Sequence, residues 1–264
     1  MDTEKDVGNA ASASTLLPIF EAFRAELDEH HDRRERIIKA SRDITAASKK
    51  IVRKLNAPLP QNVVKGNKQY YDTISTQFSS VSSDLQGLNA HRYGRQISGG
   101  CQEYIEAASF EHYLQTANIL PYEDAAAQMK QLDSDGPGVE LSPEDYLLGI
   151  YDMTGELMRF AVTSMATNGS LPTISSTNDA AETDPAPNTQ RNLLTDMRDL
   201  RSALESLDAG TGPFARDADK KMDVMRASVE KVEKALYGLT VRGAERPKGW
   251  MPDTSTGRAL EVEG

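Results

Sequence analysis

The N-terminal part of the chain carries one long stripe of regularly spaced positions. From Phe20 to Leu55 these positions follow one another at alternating steps of three and four residues, which is the heptad repeat of helices that pack along their length. The stripe consists of Phe20, Phe23, Leu27, His30, Arg34, Ile37, Ser41, Ile44, Ser48, Ile51 and Leu55. The pattern predicts a helix that starts near Thr15 and ends before Pro58 and Pro60. At roughly 1.5 Å per residue it would be about 60 Å long, so part of it is expected to meet another chain or another long helix.

Four members of this stripe are polar, namely His30, Arg34, Ser41 and Ser48. Polar residues in a helical seam commonly fix the register or the partner, at some cost in stability. The alternative is that they belong to a solvated basic face. The sequence leaves both interpretations open.

The rest of the chain predicts further helices and no strands. Apolar residues recur every three or four positions, and no segment alternates apolar with polar residues. Ser142 and Pro143 predict a helix start, because Ser is a favoured N-cap and Pro a favoured first residue. Further helices are predicted over Tyr70–Leu88, about His91–Asn118, Ser142 to about Ala166, Leu193–Leu207 and Ala218–Leu239. We therefore predict an all-α protein, an antiparallel bundle of about six or seven helices with a long first helix.

Between the helices and at both ends the sequence loses its period. Residues 1–14 are predicted to be a disordered arm and 244–264 a disordered tail. Residues 168–190 are rich in Ser, Thr, Asn, Asp and Pro and are predicted to be a flexible linker, while 133–140 have the composition of a turn-rich loop. The helices within 15–243 are expected to form a single domain.

Composition and charge narrow the functional classes. The net charge of −10 disfavours attraction of nucleic acid to the whole surface, although the segment from His30 to Lys54 carries nine Lys or Arg against three acids. No apolar run reaches the roughly 20 residues that span a bilayer, and the polar start lacks the features of a signal peptide. The single Cys101 is expected to pack in the core of a protein kept in a reducing compartment.

Two pairs of acids carry the candidate chemistry. Glu103 and Glu106 are three residues apart, and Asp152 and Glu156 are four apart, so each pair lies on one face of its helix. Like charges at these spacings repel by roughly 0.2–0.5 kcal/mol, and by more where they are buried. A positive partner is therefore expected close to each pair.

The simplest interpretation is that both pairs are surface acids with basic neighbours. The candidate neighbours are Arg159, Arg92, Arg95 and Lys130. Two features favour a site instead. Apolar residues crowd both pairs, and Gly149 and Gly155 flank Asp152 within a helix, where each glycine costs about 1 kcal/mol relative to Ala. Some close approach of another element is expected there.

Four carboxylates converging from two helices would offer the hard oxygen ligands that Mg²⁺ or Mn²⁺ prefers, and such a site suits phosphodiester cleavage. A di-iron site requires Glu-x-x-His on two helices, and only Asp28 with His31 approaches that spacing. Ligand spacings for zinc, a Walker-type loop and a nucleophile elbow are absent from the sequence.

Several segments resemble the translin family, on its translin-associated factor X (TRAX) branch. The two most specific are GCQEYIEAASFEHYL over residues 100–114 and PEDYLLGIYDMTGELMR over 143–159. Residues 20–50 and 231–243 carry the resemblance to both ends of the helical region. Two departures are a longer, more polar linker and a shorter loop over 133–140.

The resemblance implies an all-α subunit that joins translin in a hetero-octamer, the component 3 promoter of RISC, and cleaves single-stranded RNA with Mg²⁺, or alternatively Mn²⁺. The substrates it implies are passenger strands in RNA silencing or transfer-RNA fragments. The catalytic and metal-binding acids fall on Glu103, Glu106, Asp152 and Glu156. The residues expected to guide the RNA backbone are Arg33, Arg34, Arg36, Lys39 and Arg42. A non-catalytic helical scaffold or RNA-binding partner of translin is the competing hypothesis.

The expected location is the cytoplasm. The basic nuclear-targeting stretch of animal relatives is absent from residues 1–13, so nuclear entry is left open.

Overall fold

The computed structural model describes four stretches of the chain. These are residues 16–56, 63–134, 136–172 and 192–242. The predicted arm and tail lie outside the described residues, and so does the predicted linker apart from residues 168–172.

Seven α-helices and one short 3-10 turn form the secondary structure of the described stretches, which contain no strand. The α-helices are α1 (Leu17–Leu55), α2 (Val63–Ser82), α3 (Leu88–Thr116), α4 (Tyr122–Gln131), α5 (Pro143–Asn168), α6 (Leu193–Glu205) and α7 (Pro213–Arg242). The 3-10 turn Ser83–Leu85 follows α2. The predicted all-α class is confirmed. A search of the described helices for one long and apolar enough to span a membrane finds none.

Only the C-terminal half of α1 is buried in the core. The buried members of its stripe are Ile37, Ser41, Ile44, Ser48, Ile51 and Leu55. In the N-terminal half, Phe20, Phe23 and Leu27 are 64%, 56% and 68% exposed. The helix is therefore longer than the core that covers it, and it leaves an apolar stripe on the surface.

The polar members of the stripe behave differently from one another. Ser41 accepts a hydrogen bond from the backbone N–H of Gly100 on α3 (3.0 Å), and a Cβ on Gly100 would lie 3.1 Å from the Ser41 Cα. His30 Nδ1 lies 2.5 Å from the Tyr93 hydroxyl oxygen, whereas Arg34 is exposed. Ser41 thus fixes the register of α1 on α3, while Arg34 belongs to a solvated face.

The direction of α2 follows from its contacts with α1. Near the end of α1, Lys54 donates to the carbonyl of Gly66 near the start of α2 (2.7 Å). Earlier on α1, Arg36 donates to Asp84 just beyond the end of α2 (2.8 Å). The two helices are therefore antiparallel.

The contacts of α5 show that it runs in the same direction as α3. Ser98, within α3, donates to Asp145 in the first turn of α5 (2.5 Å), and the rings of Phe110 and Phe160 meet further along both helices, with centroids 6.1 Å apart. Since His30 and Ser41 of α1 contact α3 in the same order, α1, α3 and α5 all point the same way. Residues at the same level along the parallel axes of α3 and α5 are therefore neighbours.

One glycine allows α5 to lie very close to α3. A Cβ on Gly149 would stand 2.8 Å from both the Gln102 carbonyl oxygen and the Ile105 Cβ, so only glycine fits there without movement. A Cβ on Gly155 would meet nothing within 4 Å. The predicted close approach is correct for Gly149 and wrong for Gly155, which faces open space.

The start of α5 follows the prediction. The Ser142 hydroxyl accepts a hydrogen bond from the backbone N–H of Asp145 (3.1 Å), and Pro143 is the first helical residue. This cap satisfies an N–H group that has no partner inside the helix.

Helix α4 was not among the predicted elements. Its inward residues Ala125 and Met129 are both 0% exposed and four positions apart, and Glu123 and Asp124 occupy its first turn. Pro121 precedes it, and a loop follows it closely. Because the segment is short and is bounded by Pro121 and a loop, it contains too few apolar positions to show a helical spacing.

Cys101 lies on the core side of α3 and is 2% exposed, as predicted. Burial raises the pKa of its thiol well above the ordinary range, which disfavours the reactive thiolate. Its contribution is to packing.

Candidate functional site

The structure brings the two acidic pairs together. Glu103 and Glu106 lie on α3, and Asp152 and Glu156 lie on α5, about one and about two turns beyond Gly149. All three other carboxylates raise the pKa of Glu106, which requires them to lie within effective electrostatic range of it. The close approach and common direction of α3 and α5 thus assemble the four acids into one carboxylate centre.

The four acids differ in their access to solvent. The side chain of Glu156 is 11% exposed, that of Glu103 23% and that of Asp152 36%. Burial is also the largest cause of the raised pKa of Glu106. The carboxylate centre therefore has an inner side, formed by Glu106 and Glu156, and a more open side, formed by Glu103 and Asp152.

Three cations pair with three of the acids. Lys49 of α1 contacts Glu103 (3.0 Å), and Lys221 of α7 donates to Asp152. Arg159 donates to both oxygens of Glu156, at 2.7 and 2.8 Å. Since these cations come from α1, α5 and α7, three different helices neutralise the centre.

Glu106 remains without such a partner among the described residues. Burial and the charges of Glu103, Asp152 and Glu156 raise its pKa to about 8, and Lys221 only partly opposes them. A carboxyl group with this pKa keeps its proton at neutral pH unless a further positive charge arrives. The centre therefore holds more acid than its three cations neutralise.

Asn56, the C-cap residue of α1, is a further polar member of this site. Its amide nitrogen donates to Glu156 Oε2 (2.6 Å) and to the Val52 carbonyl (3.3 Å). Two acceptors on one side fix the orientation of the amide, because only its nitrogen can donate. Its oxygen is buried and has no hydrogen-bond partner in the described part of the chain. Buried oxygens of this kind are normally paired.

The donor set suits a hard divalent cation. It comprises four carboxyl groups, of which Glu106 has a pKa raised by burial and by the other three acids, and one unpaired amide oxygen close by. In the present side-chain positions, no three His, Cys, Asp or Glu of the described stretches form a ready set of metal ligands. The acids instead point to Lys49, Lys221 and Arg159, so binding an ion requires rotation of carboxylates away from these cations.

The predicted RNA-guiding residues fall into two groups. Arg33 and Arg36 both bind Asp84, with nitrogen–oxygen distances of 3.0 and 2.8 Å, and so tie α1 to the end of α2. Lys39 and Arg42 are exposed, and no ion pair holds them within the described chain. Arg34 is half-exposed and lies 3.7 Å from Glu35.

Sequence reasoning missed three members of the site. Arg159 was a predicted neighbour, but Lys49, Lys221 and Asn56 were not assigned to the acids. Lys49 belongs to the basic segment, and Asn56 stands at the predicted end of α1, where a polar cap is expected. For Lys221 no local signal exists, because its partner Asp152 is 69 residues away.

A seven-helix bundle with this carboxylate centre defines the class of protein. The Translin family model matches residues 32–243, which include every helix except the first part of α1. The chain belongs to the translin family.

Within that family the chain is more similar to proteins called translin-associated protein X than to translins. It is 32% identical to translin-associated protein X of Rattus norvegicus over 93% of this chain and 85% of the relative. The homologue from Schizosaccharomyces pombe is 29% identical, over 86% of this chain and 89% of its own. Translin of Homo sapiens is 23% identical, over 87% and 94% of the two chains.

Solved structures agree with the fold. A structure of AfC3PO in complex with duplex RNA has a TM-score of 0.59 at 19% identity and covers 86% of this chain and 99% of its own. Apo-NeC3PO has a TM-score of 0.57 at 16% identity and covers 83% of this chain and 97% of its own. At these identities the comparison establishes the helical fold.

Proposed function

We propose that this chain is a Mg²⁺-dependent endoribonuclease subunit, which cleaves single-stranded RNA within a hetero-oligomer with translin. Mn²⁺ is the alternative metal. The observation that carries this proposal is the carboxylate centre, whose acids exceed the cations around them. Membership of the translin family and the RNA-bound AfC3PO neighbour support a role with RNA.

In this proposal each acid has a position suited to holding an ion. Glu106 and Glu156, on the inner side, would bind it where little water reaches, while Glu103 and Asp152 are accessible to an RNA strand. Asn56 and Arg159 hold the Glu156 carboxylate through three hydrogen bonds before an ion binds, and Glu156 would turn from Arg159 toward the ion. When bound, Mg²⁺ supplies an activated water and neutralises charge on the scissile phosphate. No covalent nucleophile from the chain is then needed.

The basic face of α1 is proposed to guide the RNA backbone. Lys39 and Arg42 are free to contact phosphates, whereas Arg33 and Arg36 would have to leave Asp84 to do so. Contacts of Lys and Arg with phosphates carry no direct base specificity. Binding is therefore expected to depend on salt more than on sequence.

The exposed half of α1 is proposed to contact translin. Phe20, Phe23 and Leu27 are all more than half exposed, and they follow a heptad pattern that a second helix can cover. A hetero-octamer is the proposed assembly.

The test is cleavage of single-stranded RNA by the assembled complex. Glu103→Ala or Asp152→Asn is expected to abolish Mg²⁺-dependent cleavage and to leave the helical content and the complex mass unchanged. Glu140→Ala removes an exposed carboxylate outside the centre and serves as the control. Duplex RNA of the same sequence tests the strand preference. Full activity of either centre variant would contradict the assignment.

A non-catalytic scaffold is the second candidate, because three of the four acids already have cationic partners. Under that hypothesis the acids hold α1, α5 and α7 together and bind no metal. Calorimetric titration of the complex with Mg²⁺ and Mn²⁺ separates the two candidates. Binding that disappears in Glu103→Ala supports the nuclease, and its absence in the wild type supports the scaffold.

A further inference from the structure

Lys221 is the most firmly held cation of the carboxylate centre. It comes from α7, and its side chain is only 23% exposed. Its ammonium group donates to Asp152, to the side-chain oxygen of Gln102 (3.2 Å) and to the backbone carbonyl of Leu148 (3.3 Å). All three donor hydrogens of the ammonium therefore have acceptors.

Gln102 is itself oriented to receive Lys221. Its amide nitrogen donates to the Ser98 hydroxyl and to Asp145, both at 2.9 Å. Ser98 also donates to the same oxygen of Asp145 (2.5 Å). Since the nitrogen of Gln102 is committed to these two acceptors, its oxygen is directed to Lys221. A network from α3 and α5 thus fixes the position of a side chain on α7.

Two of the three acceptors of Lys221 carry no charge. If Asp152 rotates to bind another cation, Gln102 and Leu148 still hold the ammonium group beside the centre. Lys49 differs, because its side chain is 65% exposed and Glu103 is the acceptor that holds it. Lys221 is therefore the cation that stays when the acids are used, and one of its donor hydrogens becomes free.

We propose that Lys221 is a substrate-positioning residue whose ammonium group contacts an RNA phosphate beside the carboxylate centre. This inference rests on the proposed nuclease function and identifies the group that receives the phosphate. A fixed ammonium next to four acids attracts a phosphate, which the acids alone would repel. Lys is a common point-charge ligand of phosphate.

A purely structural role predicts something different. If Lys221 only neutralises Asp152, its removal loosens α7 and leaves RNA affinity unchanged. If it contacts phosphate, its removal weakens RNA binding. Under the proposal the same removal also strengthens metal binding, because Asp152 loses a competing cation. Opposite changes in the two affinities are the signature of the proposed role.

The experiment uses the full chain assembled with translin and compares Lys221→Met with Lys220→Met. The control residue is adjacent and loses the same charge, but its side chain is 79% exposed and lies 3.7 Å from Asp217. RNA affinity is measured by fluorescence anisotropy with a short phosphorothioate single-stranded RNA, which resists cleavage, in the presence of Mn²⁺. Metal affinity is measured by calorimetry with Mn²⁺ alone.

We expect Lys221→Met to weaken RNA binding about ten-fold and to tighten Mn²⁺ binding by a similar factor, since one phosphate contact and one competing cation are lost. Lys220→Met should change each affinity by less than about two-fold, because exposed charges are screened by salt. Lys221→Arg should restore most of the RNA affinity. Equal RNA affinities for the two Met variants would overturn the proposal.

A second variant keeps the test decisive if Lys221→Met does not fold. Gln102→Leu leaves Lys221 in place but removes its oriented acceptor, and it should weaken RNA binding about three-fold, a smaller effect because the charge remains. Unchanged RNA affinity in this variant would also contradict the proposal. If the proposed nuclease function is wrong, the wild type will show no Mn²⁺ binding or no RNA cleavage. That outcome is distinct from a failure of the Lys221 proposal, which concerns only the RNA affinities of the variants.

Discussion

Glu106→Gln should make the metal-free protein more stable, and more so as the pH rises. Glu106 has an ordinary pKa of 4.5 and a pKa of about 8 in the folded chain. Between these values the folded chain holds a proton that the unfolded chain has released, so the free energy of unfolding falls as pH increases. Below the unfolded pKa there is no penalty, and above the folded pKa the loss is complete.

The magnitude follows from the interval between the two pKa values. At about 1.4 kcal/mol per pH unit, it corresponds to a loss on the order of 5 kcal/mol above pH 8 and roughly 3 kcal/mol at neutral pH. Gln has nearly the same volume as Glu and no charge to bury, so the variant avoids this loss. The gain should approach zero near pH 4.

Urea unfolding of wild type and Glu106→Gln over this pH range, in a metal chelator, measures the difference. The control is Glu140→Gln, an exposed carboxylate whose replacement should change the unfolding free energy by less than about 0.5 kcal/mol at every pH. Equal stability of Glu106→Gln and wild type at every pH would refute the reasoning, because Glu106 would then carry no burial penalty. Added Mg²⁺ should stabilise the wild type alone, since a ligand stabilises the state that binds it.

Two further predictions concern packing and RNA binding. Gly149→Ala should destabilise the chain by about 1–3 kcal/mol in urea unfolding, because the added Cβ would lie 2.8 Å from α3 atoms. Gly155→Ala should stabilise the chain by about 0.5–1 kcal/mol, since open space surrounds that site. Equal effects of the two substitutions would contradict the assigned packing. The double variant Lys39→Ala with Arg42→Ala should weaken RNA binding and lower the slope of log affinity against log salt concentration by about 2. Arg36→Ala should lower this slope by less. Equal slopes for all variants would exclude phosphate contacts by Lys39 and Arg42.

The helices and their apolar faces could be predicted from the sequence, because the period of a helix appears in the spacing of nearby residues. The spacing within each acidic pair places its members on one helix face, and the Ser142–Pro143 start has a local chemical cause. Gly149 and Gly155 look equivalent in sequence, yet only Gly149 contacts a neighbouring helix. That difference depends on how α5 is rotated against α3, which no local pattern encodes.

The same limit explains why the cations of the centre were not assigned. The sequence contains many acids with which Lys49 and Lys221 could pair. Helix packing determines which of these acids each lysine contacts. Asn56 contacts Glu156 across 100 residues. In contrast, Arg159 was predictable as a partner of Glu156, because three residues along a helix bring two side chains together.

The contribution of Lys221 has a consequence for how the protein is made. Its partner Asp152 is synthesised 69 residues earlier, and α7 is the last described helix to leave the ribosome. Contacts this distant in sequence form late, after the costly closure of long loops. A growing chain therefore carries its four acids before it carries the lysine that pairs with Asp152. If Lys221 positions the substrate, the proposed site stays incomplete until α7 has been synthesised.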